Sequence, residues 1–419
     1  MSTVAQKILA SHSGRDTVEP GEIVKADIDF AFMPALTASL AFHAMYDMEI
    51  KRVFDPEKVT ILLDHIAPAT NIQNATLHKE CREIAKEQNF KHFYDINSGV
   101  CHQIIPENGH VYPGMLMVGA DSHSCTHGAF GAFSTGIGST DMGAAIGTGK
   151  LWFKVPKTIK VQVEGSLGNM VMSKDVILNA AKQLGADGAT YAALEFRGST
   201  IDEMNIGARM TLCNMAIELG GKTGICEPDD KTFKFLEGRV KHGYTPVYSD
   251  PDAKYWKSIK IDGAELAPQV ACPHAVDNVK DVGEVDGKAI NQVFIGSCTN
   301  GRLEDLRVAA EIMKGKKIHS DVRVIATPAS PEVYKAANAE GIITTLMDAG
   351  AVLCNPSCSV CFGGNHGILA PGEVSLSTSN RNFRGRQGST EAFVYLASPA
   401  TAAISALTGV ITDPREVQK

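Results

Sequence analysis

Val293-Phe294-Ile295-Gly296-Ser297-Cys298-Thr299-Asn300 runs from a short apolar segment into a small polar turn, and Leu303 to Met313 then follows as an amphipathic helix. The same succession recurs along the chain. Val59-Thr60-Ile61-Leu62-Leu63 leads into Asp64-His65, and Leu116-Met117-Val118 leads into Gly119-Ala120-Asp121-Ser122-His123. Val374-Ser375-Leu376-Ser377 leads into Ser379-Asn380-Arg381. Strands followed by helices at these intervals indicate α/β layers on a mostly parallel sheet. Sheets of that kind bind ligands outside the carboxyl ends of their strands. Nearly every chemically unusual cluster in this chain falls at such an end, which argues for an enzyme.

At 419 residues the chain is too long for one ordinary domain. Lys154-Val155-Pro156-Lys157 precedes a fresh strand, Ile159-Lys160-Val161-Gln162-Val163. A polar stretch from Ser249 to Ser258, with Pro251 and Tyr255-Trp256, precedes another, Ile259-Lys260-Ile261. These shifts predict three α/β domains, at 1–157, 158–258 and 259–419, the middle one smaller. A net charge of −7 gives no electrostatic case for nucleic acid or a membrane surface. No apolar run approaches the roughly 20 residues of a membrane helix, and Met1-Ser2-Thr3-Val4 opens no signal-peptide pattern. A cytoplasmic protein is expected.

Ten cysteines are too sparse for a disulfide scaffold. Cys81, Cys101, Cys125, Cys213, Cys226 and Cys272 stand singly and suit buried small hydrophobes. Cys358-Ser359-Val360-Cys361 is a C-x-x-C pair, which alone fits a zinc knuckle, a redox pair or two structural cysteines. A zinc site wants a second such pair, and a thioredoxin-like pair belongs near the start of a small domain. Cys298 supplies a third thiol from a strand-to-helix turn. Three thiolates from two loops can hold a cubane cluster by three irons and leave the fourth open. An open iron is a Lewis acid for a hydroxyl and a carboxylate. His110, His127, His274 and His366 are expected as hydrogen-bonded structural histidines. Gly136-Ile137-Gly138-Ser139-Thr140-Asp141 lacks the third glycine of a dinucleotide loop.

Three stretches, Ser297-Cys298-Thr299-Asn300, Asn355-Pro356-Ser357-Cys358-Ser359-Val360-Cys361-Phe362-Gly363-Gly364 and Ser379-Asn380-Arg381-Asn382-Phe383-Arg384-Gly385-Arg386, resemble the aconitase superfamily in order and spacing. The resemblance covers essentially the whole chain. Gly119-Ala120-Asp121-Ser122-His123-Ser124-Cys125-Thr126-His127-Gly128 resembles the signature of the isopropylmalate dehydratase and homoaconitase large subunits. The resemblance implies three α/β domains around one [4Fe–4S] cluster with an open fourth iron, bound by Cys298, Cys358 and Cys361. It implies a site containing Asp64-His65, His102 paired with Asp121, and His123 paired with Glu195. A carboxylate beside an imidazole raises its pKa and fixes its tautomer, so that the pair can hold or relay a proton. Ser122, Asn380, Arg381 and Arg386 are implied substrate-binding residues, a planar guanidinium being suited to grip a carboxylate twice.

Single-chain aconitases carry a further swivel domain with the catalytic serine, and no room remains for it after Ser398-Pro399-Ala400. A small partner subunit supplying that serine, in a heterodimer or heterotetramer, is therefore expected. The implied reaction is dehydration and rehydration of a malate-type hydroxy-acid such as 3-isopropylmalate. Homoaconitate and 2,3-dimethylmalate are alternative substrates, and a cluster-free RNA-binding protein is an alternative of another class. The acidic balance and the complete cysteine set argue against the last. The chain departs from the family at Phe32-Met33-Pro34-Ala35-Leu36-Thr37, where relatives commonly read His-Asp-Gly-Thr or Gln-Asp-Ala-Thr. Pro34-Ala35 replaces a polar pair with apolar surface, which predicts a substrate with an alkyl substituent at that end.

Overall fold

A computed structural model describes residues 1–418; Lys419, the last residue of the expected third domain, lies outside the described residues. The chain divides into two compact units. The first comprises Met1–Gln162, Ala189–Arg197 and Cys213–Ile259, and the second Val163–Gly188, Gly198–Leu212 and Lys260–Lys419.

The first unit is built on a five-stranded sheet in the order Phe93–Tyr94, Val59–Leu62, Phe30–Pro34, Leu116–Gly119, Phe133–Gly136. Every neighbouring pair is parallel. Its central strands are buried along their whole length, as their unbroken apolar runs require when helices cover both faces. The chain steps outward from Phe30–Pro34 in one direction and then returns to Leu116–Gly119 on the other side. That reversal is a topological switch point, where the connections diverge and leave a crevice. A second sheet has the order Thr223–Cys226, Ala193–Arg197, Thr158–Glu164, Lys257–Asp262.

The second unit holds a seven-stranded sheet in the order Val279–Asp281, Gln269–Ala271, Phe393–Leu396, Val374–Ser377, Gln292–Ile295, Arg323–Ala326, Val352–Leu353. From Phe393–Leu396 to Val352–Leu353 all pairs are parallel. Here too the chain leaves the central strand Gln292–Ile295 in one direction and returns on its other side at Val374–Ser377. The expected helix forms at Leu303–Met313 and buries Leu306, Ala309, Ala310 and Met313, the i, i+3, i+4, i+7 stripe of a core-facing helix.

The middle domain expected at 158–258 does not form a unit of its own. The reason is that this stretch feeds two cores. Met170 and Met172 pack on the second unit's core, and Asp175 accepts the Gln269 N–H at 2.8 Å. Ala193 and Ile225 instead join the core of the first. Among the described residues no helix is long and apolar enough to cross a membrane.

Candidate active site

In the first unit the strand ends bring five expected residues together, Asp64, His65, His102, Asp121 and His123. Asp64 follows Val59–Leu62 and is buried. It accepts the Cys101 N–H at 2.9 Å, from the start of the helix Cys101–Glu107, and pairs with His65 Nδ1 at 2.7 Å. Asp121 follows Leu116–Gly119 and is the hub. Its Oδ1 lies 2.7 Å from His102 Nε2 and accepts the His123 N–H at 2.8 Å, while Oδ2 lies 3.5 Å from His65 Nε2. Burial pushes the Asp121 carboxyl up, but the imidazoles of His102, His65 and His123 outweigh it and hold the group well below the usual carboxylate range. Asp64 behaves likewise: burial raises it, and His65 with the Cys101 N–H lowers it further than that. Both remain ionised acceptors, and His102 Nε2 and His65 Nδ1 are the ring nitrogens placed to donate to them.

The loop can make these contacts because Gly119 has no side chain. A Cβ there would lie 2.1 Å from Ser124 Oγ and 2.3 Å from the Phe32 ring. His127, two turns further on, is fully buried, and its Nδ1 bonds the Ser124 carbonyl at 3.1 Å. Burial keeps it neutral, which suits a structural histidine. Ser122 is exposed, with its Oγ 3.5 Å from His123 Nδ1.

The expected partner of His123 is corrected. His123 Nε2 bonds Glu218 Oε1 at 2.7 Å. Glu195 faces another network, accepting from Tyr255 Oη at 2.8 Å, from Ser249 Oγ at 2.9 Å and from Arg197. The strand Ala193–Arg197 thus turns this carboxylate toward the segment that carries Ser249 and Tyr255. Glu218 sits on the single turn Met215–Leu219, which the loop after Asp121 grips directly. Asn214 Nδ2 donates to Thr126 Oγ1 at 2.8 Å, and Cys125 Sγ donates to the Asn214 carbonyl at 3.3 Å. The one sequence signal for Glu218 is a carboxylate set inside the apolar run Met215-Ala216-Ile217-Glu218-Leu219.

In the second unit the cysteines come off the carboxyl ends of parallel strands of one sheet, with Arg323–Ala326 between the two strands concerned. Cys298 follows Gln292–Ile295, Cys358 and Cys361 follow Val352–Leu353, and Asn380 follows Val374–Ser377. All three cysteines are buried. The Asn380 side chain lies between two of them, with Nδ2 3.5 Å from Cys298 Sγ and Oδ1 3.3 Å from Cys361 Sγ. Ser297 Oγ is 3.5 Å from Cys361 Sγ and 3.7 Å from Cys298 Sγ. Cys358 packs with Phe294, Ile325, Val360 and Cys361. The residue before Cys298, Ser297, has φ +73°, and the residue after Cys358, Ser359, has φ +55°. Left-handed backbone at a serine is strained and collects where a site over-determines it. Arg386 Nη2 lies 3.9 Å from Cys361 Sγ, and Arg381 is half-buried beside Asn380.

Two buried cations missing from the sequence reading support these loops. Arg302 donates to the Cys298 and Thr299 carbonyls, both at 2.5 Å. Lys174 donates to the Ser379 carbonyl at 2.6 Å, the Thr378 carbonyl at 2.8 Å and Asn300 Oδ1 at 3.4 Å. Three buried sulfurs from two loops, with amide and hydroxyl groups turned toward them, fit the ligand chemistry of an iron–sulfur group.

Comparison with known proteins agrees. Residues 6–409 match the model of the aconitase family (aconitate hydratase). The probable 3-isopropylmalate dehydratase large subunit of Methanothermobacter thermautotrophicus is 55% identical over 412 residues, 98% of each chain. The 3-isopropylmalate dehydratase large subunit 1 of Methanopyrus kandleri is 53% identical over 413 residues, 99% of each. The probable methanogen homoaconitase large subunit of Methanosarcina mazei is 56% identical over 392 residues, 94% of this chain and all of that one. The crystal structure of aconitase X (holo-form) from Thermococcus kodakaraensis shares the fold, with a TM-score of 0.51 at 14% identity over 93% of both chains.

Proposed function

The chain belongs to the aconitase family, and on that premise we propose that it is the large subunit of an iron–sulfur hydro-lyase that dehydrates and rehydrates an alkyl-malate, 3-isopropylmalate foremost. The observation that carries this reading is the single amide of Asn380 set between the sulfurs of Cys298 and Cys361 at the ends of parallel strands. Cys298, Cys358 and Cys361 are the ligands of one [4Fe–4S] cluster, which when bound supplies a Lewis acid for the substrate hydroxyl and carboxylate.

The chain's own residues then divide the remaining work. Asp121 keeps the His102 proton on Nε2, and Glu218 orients His123 through its Nε2. Either imidazole can deliver a proton to departing hydroxide, the service such a positioned pair performs. Asp64 fixes His65 beside the same hub. Arg381 and Arg386 hold substrate carboxylates, with Ser122 and Asn380 as further substrate contacts. The relatives' large-subunit names imply a small-subunit partner, and we assign to that partner the serine that abstracts the α-proton.

The test is anaerobic reconstitution with iron and sulfide, followed by assay of alkylmalates, homocitrate-type acids and citrate with and without the small subunit. Turnover should need iron, sulfide and partner together. Stoichiometric zinc without sulfide, or full activity of the single chain, overturns the reading. The same chemistry on homoaconitate is the second reading, favoured by the relative at 56% identity that bears that name.

A further inference from the structure

We propose that Lys174 is a positioning residue for the cysteine site: its buried ammonium ties together the loops that set Asn380 between Cys298 and Cys361, and it is the countercharge of those cysteines in their thiolate form. The inference rests on the cluster reading above and adds to it a residue outside the ligand and acid–base sets.

Lys174 lies in the first turn of the helix Ser173–Leu184 and is fully buried. An ammonium has three protons, and here each finds one oxygen: the Ser379 carbonyl, the Thr378 carbonyl and Asn300 Oδ1. Two of these belong to the residues immediately before Asn380, and the third to the turn that carries Cys298. The same junction is knitted further. Thr299 Oγ1 donates to the Thr378 carbonyl at 2.9 Å, and Thr378 Oγ1 accepts the Gly296 N–H at 3.0 Å. Lys174 is the charged group that bonds both loops at once, while Arg302 bonds the Cys298 turn.

All three of its acceptors are neutral. The nearby carboxylates are engaged elsewhere: Asp175 accepts the N–H groups of Met172 and Gln269 at 2.7 and 2.8 Å, and Asp305 accepts from Asn300 Nδ2 and the Arg302 N–H, both at 3.0 Å. Burying a cation costs free energy unless an anion compensates it. Burial lowers the Lys174 ammonium to about 7, even with Cys361, Asp305, Cys298 and Asp175 pulling it upward. A chain that carried this lysine only to bridge three oxygens could use a neutral donor. Cysteines that bind iron do so as thiolates, and their negative charge in turn favours the ammonium form of a lysine bonded to their supporting loops.

The experiment compares the full chain with Lys174→Met, Lys174→Gln and Lys174→Arg after anaerobic reconstitution. Two quantities are read: the rate of iron release to an excess of chelator, and the melting temperature of the cluster-free chain. Lys174→Met and Lys174→Gln should release iron at least tenfold faster than the original chain, while their cluster-free forms melt within a few degrees of it. Lys174→Arg, which keeps the charge, should fall between. Equal release rates in all four chains overturn the proposal. So does a Met or Gln variant that fails to fold without the cluster, since that makes the lysine a pillar of the fold alone. An original chain that takes up no iron and sulfide overturns the cluster reading itself, and this proposal with it.

Discussion

The two parallel sheets place their functional residues alike yet hold them differently. In each, the chain leaves a central strand in one direction and returns on its other side, and the functional loops sit at that reversal. At the first, the side chains fix one another through charge: Asp121 binds His102 at 2.7 Å and the His123 N–H at 2.8 Å, and it faces His65. At the second, the sulfurs make longer contacts with Asn380 at 3.3 and 3.5 Å and with Ser297 at 3.5 and 3.7 Å. Their positions are held by strained serine backbone and by buried cations on the loop carbonyls. The proton-handling region is thus organised by its own acids and bases, whereas the sulfur region is organised by the scaffold behind it.

The largest expected effect follows from that contrast. Replacing Cys298, Cys358 or Cys361 by Ala should abolish bound iron and sulfide and with them turnover, because each supplies one of the three sulfur ligands. Cys81→Ala should retain both, since Cys81 is buried in the first unit's core. The histidine signals of the first region, followed by NMR on cluster-free protein, should not move in Cys358→Ala if that region is self-organised. A broad shift of His102 and His123 would break the comparison.

Within the first region the two glutamates can be ranked. Glu218→Gln removes the carboxylate bonded to His123 and should lower kcat by about 10²–10⁴, the usual worth of a positioned acid–base group. Glu195→Gln disturbs the bonds with Arg197, Ser249 and Tyr255. It should cost about 1–3 kcal/mol of stability and leave kcat within about tenfold, well short of a general acid–base loss. The reverse ranking would restore Glu195 as the working carboxylate. The hub can also be read through pH. Asp121 is depressed in the folded chain, so its stabilisation is fully present above the ordinary carboxylate pKa of about 3.9 and is lost as pH falls through its folded value. The stability advantage of the original chain over Asp121→Asn, measured by denaturant midpoints, should therefore narrow below about pH 4.

Strand ends and local motifs were legible in the chain because their chemistry is contiguous. Asp64-His65, the loop from Gly119 to Gly128 and the Cys358–Cys361 pair are each one short contiguous stretch, so the local sequence exposes them. Glu218 was not legible: it reaches His123 across 95 positions, from a turn whose place depends on Asn214 packing against Thr126. Lys174 was hidden for another reason. In Ser173-Lys174-Asp175-Val176 it reads as an ordinary polar residue at a helix start, and only the return of the chain at Thr378 buries it. The division into two units was equally invisible, since each unit is assembled from three separate stretches.

The smallest expected effect concerns the rim of the first region. Pro34 closes the strand Phe30–Pro34 and caps the helix Ala35–Asp47 with extended backbone, and Thr37 Oγ1 donates to its carbonyl at 3.1 Å. This strand neighbours Leu116–Gly119, and the Ala120 N–H bonds the Phe32 carbonyl at 3.0 Å. Pro34-Ala35 therefore sits at the same switch point as Asp121, apolar where the family resemblance implies a polar pair. A polar substrate group left without a partner there loses about 1–3 kcal/mol, whereas an alkyl group loses nothing. The unmodified enzyme should accordingly prefer alkylmalates to citrate in kcat/KM. Ala35→Asp should erode that preference by roughly 5- to 150-fold, the same energy expressed as a ratio. Ala35 is buried, so the variant should also melt at a lower temperature. Both substrates are assayed on the same folded protein, and the ratio cancels that loss. Citrate or homoaconitate winning by a wide margin in the unmodified enzyme would show that the partner subunit, and not this turn, selects the substrate.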